Sequence, residues 1–361
     1  MSFAGRRPRA NSPTPIDTVR ALVIPRPGSH PDGAGRLGLV ELERPMPAEG
    51  EILVRVLVCG VCRTDLDIAD GRLAPPHYPR VPGHQVVGRV VTADGSGTFR
   101  PGDRIGIAWI HSACGACRWC RGGEENLCPD FRSTGCDADG GYAEYMTVPA
   151  AFAHVIPSEL SDELAAPLLC AGAVGWRSLR LAMLADGDPL ALSGFGASGH
   201  VVLQLARHRY PASPIFVFAR NPEERAFARE LGAEWTGDFG ERPPKALGAV
   251  IDTTPAWKPI VDTIRHLIPG GRLVINAIRK MNRDREELLR LEYTDLWRER
   301  EIKTVANVTR ADVREMLDAA VEIGLRPTVR ELPLERANEA LDRMRRGDST
   351  RGAIVLRVQR G

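Results

Sequence analysis

Leu190-Ala191-Leu192-Ser193-Gly194-Phe195-Gly196-Ala197-Ser198-Gly199 is the stretch whose reading decides the fold. Strand-like residues run straight into the glycines, and an apolar-periodic helix from Gly199 to His208 follows. Each glycine serves a mechanical need, Gly194 the tight turn, Gly196 the close backbone approach to a pyrophosphate, and Gly199 close packing of helix on strand. The amino end of the helix adds a favourable field for phosphate. A lone match of this kind is weak. Here it follows a strand, opens a helix and starts an alternating series, so it reads as a dinucleotide site.

Outward from this stretch the alternation continues. Strands are expected at Pro189 to Ser193, Ile215 to Phe218, Ala249 to Asp252 and Arg272 to Asn276, with helices at Pro222 to Leu231 and Ile260 to Leu267 between them. Strand and helix alternating with short connections imply an α/β unit with a parallel sheet, the doubly wound Rossmann architecture. The residue that selects the ribose should follow the glycines by about 20 positions, at the end of the next strand. Ala219 and Arg220 stand there, and neither offers a carboxylate to a free 2′-hydroxyl. Arg220, with Arg225 nearby, can pair with a 2′-phosphate, so NADP is favoured over NAD. The charge-rich run Arg279 to Glu301 has helical spacing and reads as a solvated face.

The amino-terminal half differs in style. Short apolar runs at Arg20 to Ile24, Glu51 to Val58, Val86 to Val91, Arg104 to Ile110 and Gly140 to Val148 alternate with Pro-Gly turns, which suggests a compact β-barrel-like module. Helices are expected from Ser161 to about Leu184, with Cys170 in their middle. The barrel is interrupted by Cys114-Gly-Ala-Cys117-Arg-Trp-Cys120, then seven residues, then Cys128. Four thiols this close can converge on one tetrahedral zinc, and a closed shell of four leaves no open position, so Cys114, Cys117, Cys120 and Cys128 read as a structural zinc site. Cys59 and Cys136 have no partner motif and read as buried free thiols.

At 361 residues the chain has room for two domains, at roughly 100 to 200 residues each. Its 48 basic and 46 acidic residues give a formal net charge of +2, which argues against nucleic-acid binding through a basic field. No apolar run reaches the roughly 18 residues that span a bilayer, and residues 1–18 lack a signal-peptide core and read as a disordered tail. The expectation is a soluble cytoplasmic protein with reduced cysteines.

Three further segments acquire meaning together: Gly60-Val-Cys62-Arg63-Thr64-Asp65, Pro82-Gly83-His84-Gln85 and Leu168-Leu-Cys170-Ala-Gly172. One His and two Cys can give zinc three ligands and leave the fourth position open, although their spacing alone does not establish it. With the four-cysteine lobe and the glycine loop, these elements stand in the order found in the zinc-containing medium-chain alcohol dehydrogenases, which the chain resembles from about Val19 to Val358. The resemblance implies a GroES-like β-barrel catalytic domain, residues 19–171 with 309–361, carrying the structural zinc lobe at about 112–130. It further implies a Rossmann coenzyme domain at residues 172–308.

The resemblance also implies roles. Cys62, His84 and Cys170 become ligands of a catalytic zinc, giving two zinc ions per chain. Thr64 becomes the hydroxyl that hands on the alcohol proton, and Asp65 the carboxylate that fixes the His84 tautomer. Arg63 and Arg351 resemble basic residues that contact the coenzyme pyrophosphate, beside the glycines Gly194, Gly196 and Gly199. The implied reaction is Lewis-acid-assisted hydride transfer between an alcohol and its aldehyde or ketone, in a homodimer or homotetramer. Trp109, Ile110 and His111 are candidates for shaping the substrate end.

Two positions depart from the family pattern. Gln85 stands where a glutamate is usual, which removes a negative charge behind the metal. Asp67 stands where some members carry a proton-relaying histidine, so the carboxylate or solvent must take that proton. Alternative functions are a polyol or amino-alcohol dehydrogenase of the same superfamily, or a catalytically silent zinc- and nucleotide-binding protein. The complete Cys62, His84, Cys170 and Thr64 set argues against the silent reading.

Overall fold

The run Glu51–Val61 alternates long enough to form the central strand of a barrel-like sheet, with the side chains of Ile52, Val54, Val56 and Val58 all withdrawn from solvent. The computed structural model describes residues 17–26, 36–348 and 351–359, so most of the expected amino-terminal tail lies outside the described residues. Glu51–Val61 pairs antiparallel with Val86–Thr92, Tyr145–Pro149 and the carboxy-terminal Ala353–Arg357. Arg104–Ile107, Ala153–Val155 and Val329–Pro333 complete seven strands. The antiparallel pair Thr18–Val23 and Gly38–Glu43 docks alongside, Leu22 N–H donating to the Tyr142 carbonyl at 2.7 Å. The strand expected from Arg104 to Ile110 divides in two. Ile110–Ser112 separates from Arg104–Ile107 and pairs with Arg132–Ser133, closing the neck of the cysteine lobe.

The second sheet has six strands, all parallel, in the order Trp235–Gly237, Ile215–Phe218, Leu190–Ser193, Leu247–Asp252, Leu267–Ile275, Glu301–Thr304. Counted along the chain this is 3-2-1-4-5-6, and the order reverses between Leu190–Ser193 and Leu247–Asp252, where such sheets bind dinucleotides. Its central strands are buried throughout and read as continuous apolar runs. The fold class is therefore the expected one, a GroES-like barrel with a Rossmann unit. Glu301–Thr304 was not anticipated. It is an edge strand with every residue exposed, and its Glu, Lys and Thr carry no strand periodicity. The run from Arg279 contributes only a 3₁₀ segment, Asn282–Arg290, and the short helix Tyr293–Leu296.

The chain passes between the sheets through Asp162–Pro167, Leu168–Gly172 and Ala173–Ala182, and returns through the helix Arg310–Glu322. These crossings are braced by Asp312, which is fully buried. Arg177 donates to its Oδ2 at 2.8 Å, and the Arg180 guanidinium lies 2.7 Å from its Oδ1. The same Oδ2 accepts from the Thr309 N–H at 2.8 Å, one half of the capping box in which Thr309 caps the helix and Asp312 stands at its third position.

Each sheet region holds a buried neutral histidine. Burial, reinforced by Arg314 and Arg310, pushes His154 down to about 3, and burial pushes His200 down to about 4. The unfolded chain, with histidines near 6.5, binds more protons than the folded one below that pH. Stability is fully present above about pH 6.5 and should fall as the pH drops from there towards 4, at about 1.4 kcal/mol per unit for each histidine. Urea midpoints measured from pH 7 to pH 4 test this; a flat profile, or one unchanged in His154→Gln, would contradict it.

Candidate functional site

Cys62 stands at the amino end of the helix Arg63–Ala69, and its backbone N–H donates to Asp65 Oδ2 at 2.8 Å. That reciprocal turn draws Asp65 inward until it is fully buried. Asp65 Oδ2 also accepts from the Tyr142 hydroxyl at 3.2 Å, while Oδ1 accepts from the Gly83 N–H at 3.2 Å and lies 3.1 Å from His84 Nδ1. One carboxylate thus ties the helix, the Pro82–His84 turn and the strand approach at Tyr142 together. With Nδ1 engaged, His84 presents Nε2 to the interior, where it is buried and has no hydrogen-bond partner among the described residues.

Cys170 arrives from a different direction. The helix expected across this region changes at Pro167, and Leu168–Gly172 forms a π turn with Cys170 at its middle. Proline gives no backbone donor, and the wider turn inserts an extra residue that re-aims the side chain. Cys170 Sγ comes to 4.0 Å from Cys62 Sγ. The three ligand atoms of Cys62, His84 and Cys170 all lie within 4.8 Å of one another.

The donor set fits a divalent metal. Two thiolates on tetrahedral zinc, with bonds of about 2.3 Å, stand about 3.8 Å apart, whereas a disulfide needs about 2.05 Å. The unpartnered Nε2 supplies the third donor. Without metal the cluster holds its own charges: the hydrogen bond from Cys170, aided by His84, keeps the Cys62 thiol well below its ordinary range despite burial, and the Cys170 thiol is pushed up in consequence. Burial disfavours a charged His84, but Asp65 and Cys62 outweigh it and hold the imidazole at about 10. A bound cation would displace the protons that this arrangement retains. Thr64, nearly buried, places Oγ1 3.6 Å from Cys62 Sγ. Trp109 meets His84 edge to face, with ring centroids 4.9 Å apart.

The cysteine lobe gathers Cys114, Cys117, Cys120 and Cys128, with sulfur separations of 3.5, 3.6 and 3.9 Å among them. Backbone N–H groups of Ala116 and Cys117 pull the Cys114 thiol down to about 6. The lobe is anchored at its base by the nearly buried Glu125, whose Oε1 accepts from the Arg310 backbone N–H and from its Nε, each at 3.0 Å.

The glycine loop divides its work by position. Gly194 has φ of +87°, and a Cβ there would come within 2.8 Å of Thr253 Oγ1. A Cβ on Gly196 would meet nothing within 4 Å, so its backbone faces open space. A Cβ on Gly199 would come within 2.6 Å of the Gly194 carbonyl oxygen. Beside the loop lies a group that sequence reading missed. Asp252, fully buried, accepts from Ser193 Oγ at 2.7 Å and Thr254 Oγ1 at 2.8 Å and pairs with Lys280 Nζ. No motif links these four residues; Ser193 and Asp252 are register partners on adjacent parallel strands, and Thr254 and Lys280 lie beyond the ends of the strands Leu247–Asp252 and Leu267–Ile275.

The expected basic residues are dispersed. Arg63 reaches across to the Met344 carbonyl at 3.1 Å, and burial lowers its affinity for a proton. Arg220 is exposed at the end of Ile215–Phe218, whereas Arg225 is engaged with the carbonyls of Ala219 and Arg220 at 2.7 and 3.0 Å. Arg351 pairs with Glu230 and lies over the Phe227 ring, 5.0 Å from its centroid. Asp67 is buried rather than solvated, and its Oδ1 accepts from Arg72 Nε at 2.6 Å. Gln85 is also buried, its amide so close to the Gly60 backbone that a Cβ there would meet Oε1 at 2.9 Å.

Residues 48–158 match the family model described as the alcohol dehydrogenase GroES-like domain. A probable alcohol dehydrogenase, AdhA, of Mycobacterium tuberculosis (strain CDC 1551 / Oshkosh) is 43% identical over 353 residues, covering 96% of this chain and 99% of that one. An alcohol dehydrogenase of Geobacillus stearothermophilus is 35% identical, covering 90% of this chain and 96% of its own length. Among solved structures, the cinnamyl alcohol dehydrogenase of Sorghum bicolor superposes with a TM-score of 0.83 at 26% identity, covering 94% of this chain and 98% of that one.

Replacing Asp65 by asparagine would turn one acceptor oxygen into a donor facing other donors. Asp65→Asn is expected to destabilise the metal-free protein by about 3–5 kcal/mol, the usual cost of breaking a buried charged network. Urea denaturation measures it, and a loss below about 1 kcal/mol would show that Asp65 does not hold the three segments together.

Proposed function

The chain belongs to the zinc-containing medium-chain alcohol dehydrogenase family, and we propose that it reversibly oxidises a primary or secondary alcohol to an aldehyde or ketone, with zinc and NAD(P), NADP being favoured. The observation that carries this reading is the buried, unpartnered Nε2 of His84 facing the Cys62 and Cys170 sulfurs, with Asp65 on the opposite ring nitrogen. The working cleft in this reading lies between a catalytic unit, residues 19–171 with 309–361, and a coenzyme unit, residues 172–308.

Zinc held by Cys62, His84 and Cys170 would supply Lewis acidity towards the alcohol or carbonyl oxygen, and the dinucleotide on the glycine loop would supply the hydride carrier. Asp65 keeps the imidazole proton on Nδ1, so that Nε2 offers its lone pair inward. Thr64 Oγ1 takes the hydroxyl proton of the substrate and passes it on. Asp67 Oδ1 already accepts from Arg72, so solvent is the onward acceptor in this scheme. Trp109, packed on His84, keeps bulk water from the reacting face.

Gly194, Gly196 and Gly199 would bring the backbone to the pyrophosphate, with Arg63 and Arg351 reaching it from the catalytic unit. Arg220, exposed and without a neighbouring carboxylate at position 219, would pair with the 2′-phosphate. No described helix is long and apolar enough to cross a membrane. The exposed edge strand Glu301–Thr304, with Trp297 and Tyr293 also exposed beside it, is the surface on which a homodimer or homotetramer would form.

Native mass spectrometry should show two zinc ions per chain in a dimer or tetramer, with Cys170→Ser retaining one; two zincs kept in Cys170→Ser would contradict the ligand assignment. For the coenzyme, kcat/KM with NADPH should exceed that with NADH by about tenfold, and Arg220→Ala should erase the difference. A preference for NADH in the parent enzyme would overturn the role of Arg220.

A further inference from the structure

His200 stands second in the helix Gly199–Arg209 that follows the glycine loop, and it is fully buried. Both of its ring nitrogens are engaged. Nδ1 lies 3.2 Å from the Gly196 carbonyl oxygen, and Nε2 lies 3.3 Å from the Thr328 backbone nitrogen. A backbone N–H can only donate, so Nε2 must accept from Thr328. Burial lowers the imidazole to about 4, which leaves a single ring proton at neutral pH. That proton is therefore on Nδ1, and Nδ1 donates to the Gly196 carbonyl.

The Gly196 carbonyl also accepts from the His200 backbone N–H at 3.3 Å, so one residue supplies two donors to a single oxygen. The 196–197 peptide is trans, and in a trans peptide the carbonyl and the N–H point opposite ways. Turning the Gly196 carbonyl towards His200 thus turns the Ala197 N–H away from it. Ala197 is half-buried, and its N–H has no partner among the described residues. A Cβ on Gly196 would meet nothing within 4 Å, so there is open space beside this peptide. Glycine is permissive enough to let the peptide flip, which would aim a carbonyl instead of an N–H at a phosphate.

The other ring nitrogen reaches beyond the glycine loop. In the proposed division Thr328 belongs to the catalytic unit, directly before the strand Val329–Pro333, and its carbonyl accepts from the Ala353 N–H at 2.9 Å. Arg351, just before Ala353, lies over the Phe227 ring, whose centroid is 6.0 Å from that of His200. One imidazole thus spans from the glycine loop to the turn carrying Arg351, the cation proposed to meet the pyrophosphate from the other side. An apolar side chain in its place would release the Gly196 peptide and leave the Thr328 N–H without its acceptor.

We infer that His200 is a positioning residue for the dinucleotide: it holds the 196–197 peptide with the Ala197 N–H turned out to donate to the pyrophosphate, and it sets the glycine loop against the segment of Thr328 and Arg351. The inference rests on the dehydrogenase reading above and adds to it a residue outside the motif glycines. The test is fluorescence titration of the zinc-loaded enzyme with NADPH and with NADH, kcat being read at saturating dinucleotide. An asparagine amide reaches the position of Nδ1 and a glutamine amide that of Nε2, so the two substitutions keep different halves of the contact. His200→Leu, which keeps neither, should raise Kd for the better-bound dinucleotide about tenfold, the worth of a hydrogen bond to a charged group, with kcat not falling below about half. His200→Asn should bring Kd back to within about threefold of the parent, while His200→Gln stays close to His200→Leu. An unchanged Kd in His200→Leu overturns the inference, as does equal rescue by His200→Asn and His200→Gln; either result leaves His200 a packing residue in an intact dehydrogenase. Should His200→Leu not fold, the ratio of Kd between His200→Gln and His200→Asn decides in the same way. No binding of either dinucleotide by the parent enzyme overturns the coenzyme reading itself, and the inference falls with it.

Discussion

The buried carboxylate of Asp65 is the constraint on which the rest of the site depends. A fully desolvated carboxylate is tolerable only when it is saturated with donors, and this one is met by the Cys62 and Gly83 N–H groups, the Tyr142 hydroxyl and His84 Nδ1. The four donors come from three separate segments. Satisfying the charge therefore places Cys62 and His84 on opposite sides of one small volume. The π turn at Leu168–Gly172 then points Cys170 into the same volume from the crossing between the sheets.

In the proposed reaction the two sheets must hold a fixed relation for a hydride to pass between substrate and coenzyme. Several contacts serve that need, and they share a location on the crossing segments. Asp312 joins the outgoing helix at Arg177 to the returning one. Glu125 and Asn126, from the base of the cysteine lobe, grip the returning chain at Arg310 and Ala306. The lobe thus sits between the barrel and the return path. A metal closed inside the lobe would stiffen that grip without touching the substrate.

Much of this was legible in the residue order, because backbone mechanics leave strong signatures. The glycines at 194, 196 and 199 are read from the turn, the open approach and the close packing that each position requires. The cysteine spacing from Cys114 to Cys128 is likewise a local geometric demand. What was not legible depends on distant register. Tyr142, the fourth donor to Asp65, looks like any strand aromatic until the strands are paired. Lys280 reaches Asp252 only because two parallel strands end side by side. Asp67 reads as a candidate proton acceptor, yet Arg72 already occupies its Oδ1. The break in the helix around Cys170 was marked only by Pro167, whose effect on the following turn is not encoded by periodicity. Glu301–Thr304 escaped notice because an exposed edge strand needs no apolar alternation.

The central claim is that carbon-bound hydride leaves the substrate at the Cys62, His84 and Cys170 centre. It is tested most directly by oxidising an alcohol deuterated at its carbinol carbon and weighing the reduced dinucleotide. The predicted result is one deuterium carried from carbon to the coenzyme by the parent enzyme and none by Cys170→Ser. Incorporation of solvent hydrogen instead, or undiminished deuterium transfer in Cys170→Ser, would contradict it.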